Sequence, residues 1–375
     1  MDNRKKADKI YYHQAMLLVI VLRIILGLTY LPELNTPPAN QDIWIMLLLS
    51  ILYTVVFSLP LLYLGNKFSQ YSFYEYAEMI MGKFIGKVIS IFYALFFFMF
   101  LIFFSSVFIE ILNSSLYDET PTIINITILM ITSTYIVYKG IMNLARLGEL
   151  VIPFILLLFF LLAILGFENY DFKMLLPILS DSKLTDINKG ALISSLRNTD
   201  SLILIMLIPY LEEKKDVNKI FIKSLIYSIF IVILTVIIVQ ATLGIEYTKL
   251  VNFPFYNFAR LIKIGETQGF DLLYVVSWIM GNVIKVSSYH YFTTVALGKV
   301  ANKRNQIFII PAAVVNIIAV ILLKDRRPII AVKDPFPQIF IVSTVLGIII
   351  IPLILFIVYL FRRNKIEQSS NSKKN

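Results

Sequence analysis

Arg23, Arg197, Asp200 and Lys285 each fall inside an apolar run long enough to cross a bilayer. A charge at that depth is costly and usually faces a cavity or a partner, so these four residues are where binding chemistry is to be sought. Lys285 sits near the middle of the run 272–297. Its ammonium needs surrounding oxygens, and we read it as a tethered cation standing where an ion-coupled transporter would hold sodium. Ser287, Ser288 and Thr293 follow on the same run, and ordinary interhelical hydrogen bonding accounts for any one of them. Arg23 and Arg197 read first as structural groups, paired with a carboxylate or snorkelling to the interface. Asp200, preceded by Asn198 and Thr199, fits two readings: a ligand or ion-pair contact inside a helix break, or a capping turn of the kind these residue types favour. Gly27 is either an unwound point where backbone groups face a ligand or a small residue for close helix packing, and Pro32 tips the balance towards the break.

Other chemistries find no support. Walker-type phosphate loops, metal-ligand spacings and nucleophile-plus-base constellations do not occur, so neither an enzyme nor a cofactor is expected. There is no cysteine, which removes disulfides and thiolate metal sites, and His13 and His290 are far apart in the chain. The net charge of +10 is explained by positive loops beside membrane spans rather than by nucleic acid.

The elements that must position these residues follow from composition. The 375-residue chain is 58% hydrophobic and 15% charged, with a mean hydropathy of +0.79. Its apolar runs are of spanning length, so the protein is read as an all-α polytopic membrane protein of about ten transmembrane helices. One integral membrane domain covers residues 1–365, with a first set of five spans over about 10–167, a second over about 190–361, and a disordered tail at 366–375. Lys and Arg favour one side by about two to one, which places both termini in the cytoplasm. The first run carries no small-residue cleavage site and is expected to remain as an anchor. The polar-aromatic segment Gly65 to Lys87 suggests a short interfacial helix between the second and third spans, with Gly82 and Gly86 near its end. The breakers fall in the first and sixth spans, each the first of its set of five. That is the layout of an inverted repeat with a site at the midplane.

The motifs in order resemble one family. Asn40, Gln41, Asp42 and Trp44 enter the second span; Phe73 to Lys87 reads FYEYAEMIMGKFIGK; Thr120-Pro121, the stretch Tyr135 to Glu149, Leu175 to Pro177, Phe253-Pro254 and Trp278 to Ser287 follow. This is similar to the GerAB-like spore germination proteins, the B subunits of the nutrient germinant receptors of spore-forming bacteria. The resemblance implies the five-plus-five fold of the amino acid–polyamine–organocation transporter superfamily (LeuT-like), with helices 1 and 6 broken. It implies residence in the inner membrane of the spore with an A subunit and a lipoprotein C subunit, and binding of a small nutrient such as an amino acid that triggers germination. A secondary amino acid transporter of the same superfamily is the alternative. On this reading the nutrient carboxylate meets amides near Gly27 and Thr29. Its side chain meets Ser105, Ser106, the stretch Asn198 to Asp200, and Ser287. One departure stands out: the family pattern leads one to expect a glycine-rich turn in the first span, and this chain has only Gly27 there.

Overall fold

The computed structural model describes residues 9–113, 119–323 and 335–372. Among them regular structure is helical, apart from isolated bridges. Among the described residues, ten segments are long and apolar enough to cross a membrane. The first five are α1 (Tyr12–Tyr30), α2 (Ile43–Lys67), α4 (Lys83–Ile111), α5 (Thr122–Lys139) and α6 (Ile141–Leu165), with α3 (Phe73–Met81) lying between α2 and α4. The sixth span is split into α7 (Leu184–Leu196) and α8 (Asp200–Leu207). The rest are α9 (Val217–Leu243), the short α10 (Ile245–Leu250) and α11 (Pro254–Leu261), α12 (Asp271–Ala301), α13 (Ile309–Leu323), α14 (Pro335–Thr344) and α15 (Ile351–Ser372). A π-helical stretch, Val345–Ile350, joins α14 to α15 as one span.

Local sequence explains the junctions. Ser72 and Glu75 form a reciprocal capping box that starts α3, which satisfies two otherwise orphaned amides. Gly82 and Gly140 take φ of +86° and +88°, where a side chain would be strained, and α4 and α6 start directly after them. The segment 244–269, between the seventh and eighth spans, holds α10 and α11. Pro254 opens α11, and Phe255, Phe258 and Ala259 bury one face of it, the i, i+3, i+4 pattern of an amphipathic helix.

Three expectations are corrected. The sixth span begins at Leu184, earlier than its apolar run suggests. Helix α15 continues to Ser372 where disorder was expected from 366; residues 373–375 lie outside the described residues. Most consequentially, α1 is continuous from Tyr12 to Tyr30 and ends at Leu31 in a left-handed conformation, with Leu31 N donating to Gly27 O at 3.2 Å. The break expected around Gly27 is absent. A Cβ at Gly27 would meet Val232 of α9 at 2.8 Å, so this glycine lets two helices approach closely.

The two halves meet around α1, α7–α8 and α12, which are mostly buried, whereas α13 and α15 mostly face outward. Leu52, Ile131 and Leu157 on α2, α5 and α6 are more than half exposed, as lipid-facing residues should be. At one end, Ile10 bridges to the end of the sixth span: Ile10 N donates to Tyr210 O at 2.9 Å, and Glu212 N donates to Ile10 O at 3.1 Å. The chain leading into α1 is thereby tied to the chain leaving α8.

Candidate functional site

The sixth span is broken where its sequence turns polar. Between α7 and α8 the amides bond short: Asn198 N reaches Ser195 O at 3.2 Å and Leu202 N reaches Thr199 O at 3.0 Å. Three-residue bonds of this kind mark a hinge in a helix rather than its regular interior. Two side chains of the break are committed to neighbours. Asn198 Nδ2 donates to Thr54 Oγ1 of α2 at 2.9 Å. Thr199 Oγ1 lies 2.8 Å from the hydroxyl of Tyr289 on α12.

Asp200, the first residue of α8, is 2% exposed. It faces a cavity of about 30 Å³, room for one or two waters. Arg23 and Gly27, one turn apart on α1, line the same cavity, as do Arg197, Asn198 and Lys285. Apolar walls come from Leu26, Leu47, Ile229 and Val232.

The charges in this cavity differ in how they are met. Lys285 Nζ donates to the carbonyl of Leu22 on α1 and lies 4.1 Å from the centre of the Phe104 ring, a favourable place for a cation. This is the carbonyl contact expected of a tethered cation. It is made to a regular helical turn and not to an unwound one. Arg23 is the opposite case. It is 6% exposed, and Nε, Nη1 and Nη2 all lack a hydrogen-bond partner. Asp200 interacts electrostatically with both Arg23 and Lys285, yet its Oδ1 accepts no hydrogen bond. A buried donor left unmade costs roughly 1–3 kcal/mol, more for a charged group. Arg23 thus has the carboxylate of Asp200 as an electrostatic partner, as the structural-pair reading expects, but none of its donors is hydrogen-bonded.

The other residues singled out in the sequence lie apart. Thr29 Oγ1 donates to Ile25 O at 2.6 Å and accepts from Trp278 Nε1 at 2.8 Å, so its hydroxyl is used. Ser105 Oγ accepts from Asn316 Nδ2 at 3.0 Å. Ser106 and Ser287 are buried with unpartnered hydroxyls, but neither lines the cavity. His290 uses both ring nitrogens, on Ser133 Oγ at 3.0 Å and Ile309 O at 2.9 Å, which makes it a cross-link between spans. Sequence reasoning missed Tyr289, one turn from Lys285 on the same helical face. It also missed Leu47, Ile229 and Val232, which look like any other apolar residues of a span.

Ten spans in two sets of five, a hinge in the sixth and a polar cavity beside it define a membrane protein of the five-plus-five transporter fold. A solved structure of a sodium-coupled sialic acid symporter, substrate-bound and open to the outside, overlays on 90% of this chain and 78% of its own with a TM-score of 0.63 at 14% identity. Residues 9–329 match the family described as spore germination protein, and the chain belongs to that family. It is similar to spore germination protein YndE of Bacillus subtilis, with 26% identity covering 73% of this chain and 76% of the relative. It is also similar to spore germination protein KB of the same organism, with 28% identity over 71% and 73%. Spore germination protein A2 of B. subtilis aligns over 97% of this chain and 99% of its own length at 22% identity.

Proposed function

We propose that this protein is the nutrient-binding B subunit of a spore germinant receptor, acting by binding and not by catalysis. A small nutrient such as an amino acid enters between α1, the sixth-span break and α12, and its binding triggers germination. The observation that carries this reading is the hinge at Arg197–Thr199 opening onto a buried cavity whose Arg23 and Asp200 are incompletely bonded. Hinges beside midplane sites are how transporter folds couple ligand occupancy to movement. On this reading the subunit lies in the inner membrane of the spore, with both termini on the core side, beside an A subunit and a lipoprotein C subunit. The cavity holds little more than water in this conformation, so the two halves of the sixth span must part to admit a nutrient. Lys285 stands in for the coupling ion, keeping one arrangement of α1 and α12 without an ion gradient.

Germination of spores carrying substitutions at Gly27, Asn198 or Asp200, measured across a panel of nutrients, tests the proposal. Altered nutrient preference at normal protein level is expected. Unaltered preference in all three variants would refute it. The transporter fold favours one second reading, a secondary amino acid transporter; uptake of labelled amino acid by proteoliposomes holding the protein alone would establish that reading instead.

A further inference from the structure

We infer that the ligand of this cavity carries a carboxylate, that Arg23 is the residue that binds it, and that an ammonium group on the ligand is not required. The inference rests on the nutrient-binding reading and names the chemistry of its ligand.

Arg23 has the geometry of a recognition group. A guanidinium offers five N–H donors in a planar fork that matches a carboxylate, and it stays protonated in proteins. Here Nε, Nη1 and Nη2 are all buried and unbonded, and the residue lines the cavity. Charge balance points the same way. Two cations, Arg23 and Lys285, interact with one carboxylate, Asp200. The hydroxyl of Tyr289 also faces Asp200 and adds no positive charge to the balance. One further negative charge is therefore called for, whereas an added positive charge is not. The sequence places the nutrient carboxylate on amides near Gly27 and Thr29. The structure removes that option, because α1 is regular through Gly27, Val232 fills the space beside it, and the Thr29 hydroxyl is already used. A charged fork one turn earlier takes over the task.

Matched trios test this on the full-length protein in detergent, read as the shift of its thermal unfolding midpoint, since a compound that binds only the folded state raises it. The first trio is L-alanine, L-lactate and L-alaninamide; the second is glycine, glycolate and glycinamide; sodium chloride at matched ionic strength is the inorganic-anion control. In at least one trio the amino acid and its hydroxy acid are expected to raise the midpoint while the amide and chloride do not. Arg23→Met is expected to abolish the shift, a loss of at least roughly tenfold in affinity, and Arg23→Lys to keep part of it. Without added compound, Arg23→Met is expected to lower the midpoint little, because the lost guanidinium made no hydrogen bond and Lys285 remains beside Asp200.

An equal shift with an amide or with chloride overturns the inference. So does an Arg23→Met protein that keeps the wild-type shift, or one that unfolds far earlier without added compound and is restored by Arg23→Lys, which is the behaviour of a structural ion pair. If inosine or glucose shifts the midpoint and no carboxylate does, the nutrient-binding reading stands and the carboxylate inference falls. If neither carboxylates nor these neutral nutrients shift it, both fall.

Discussion

Two buried polar clusters in this protein have similar composition and opposite bonding. At one membrane face, Asn40, Gln41 and Asp42 hold the chain that leads into α7. Asp42 is fully buried; its carboxylate accepts the amide of Leu179 at 3.0 and 3.1 Å and the hydroxyl of Ser182 at 2.5 Å. Gln41 Nε2 donates to Pro177 O at 2.7 Å and to Asp181 at 3.2 Å, and Asn40 Nδ2 donates to Ser182 at 2.8 Å. In the middle of the bundle, Arg23 makes no hydrogen bond and Asp200 leaves an oxygen unmet. Both clusters combine charged and polar side chains from parts of the chain far apart in sequence. The first is a latch, complete in itself and fixing the turn between the repeats. The second is incomplete, which is why we propose it as the site. Satisfied polar groups specify structure, whereas unsatisfied ones under burial call for a further partner, be it water, an ion or a ligand.

The sharpest way to break this contrast is at Asp42. Asp42→Ala should strand the Leu179 amide and the Ser182 hydroxyl in a buried setting and destabilise the protein by about 3 kcal/mol, read as a lowered thermal midpoint in detergent. A change as small as that expected for Arg23→Met would erase the distinction between latch and cavity. Next comes Lys285→Met, which removes a charged hydrogen bond to α1 and a cation from beside Asp200; roughly 2 kcal/mol is expected, together with loss of germination. Wild-type stability and germination in that variant would exclude the tethered-cation role. Gly27→Ala sharpens the cavity wall. Its Cβ runs into Val232, and overpacking of this kind costs about 1–3 kcal/mol. Combining it with Val232→Ala should recover most of that loss in the same thermal assay, whereas a glycine needed for unwinding would not be rescued.

The smallest effect lies at the surface. Burial acts against the charge of Glu75, but its bonds to Lys299 at 2.6 Å and to the capping Ser72 prevail, so its carboxyl is held below the ordinary range. A depressed carboxyl contributes stability above its unfolded-state value and loses it as pH falls through its folded-state value. Both groups are about half exposed, so Glu75→Gln should cost no more than roughly 0.2–1 kcal/mol, detectable near neutral pH and vanishing in acid.

Much of this was legible in the sequence. The ten spans, a short helix between the second and third of them, and the polar interruption of the sixth span follow from hydropathy, capping residues and charge, all local properties. Lys285 was readable as a cation among oxygens because no other arrangement keeps an ammonium at that depth. The reading failed at Gly27, and at Arg23 it did not foresee donors left without hydrogen bonds. Glycine is used both for breaks and for close packing, and only the position of Val232 on a distant helix decides between them. Arginine is used both for pairing and for binding, and only the tertiary structure shows that the donors of Arg23 make no hydrogen bond.

The same division applies to the molecule as a whole. The sequence by itself determined that the chain lies in a membrane, where it turns and which charges are buried, because the bilayer imposes one length and one polarity on every span. The tertiary structure decided what those charges do. Whether a buried group is satisfied depends on which carbonyls, hydroxyls and apolar walls other helices bring within about 3 Å, and no local pattern encodes that. Asn40 to Asp42 thereby became a latch, α1 a continuous helix, and Arg23 the open donor of the cavity.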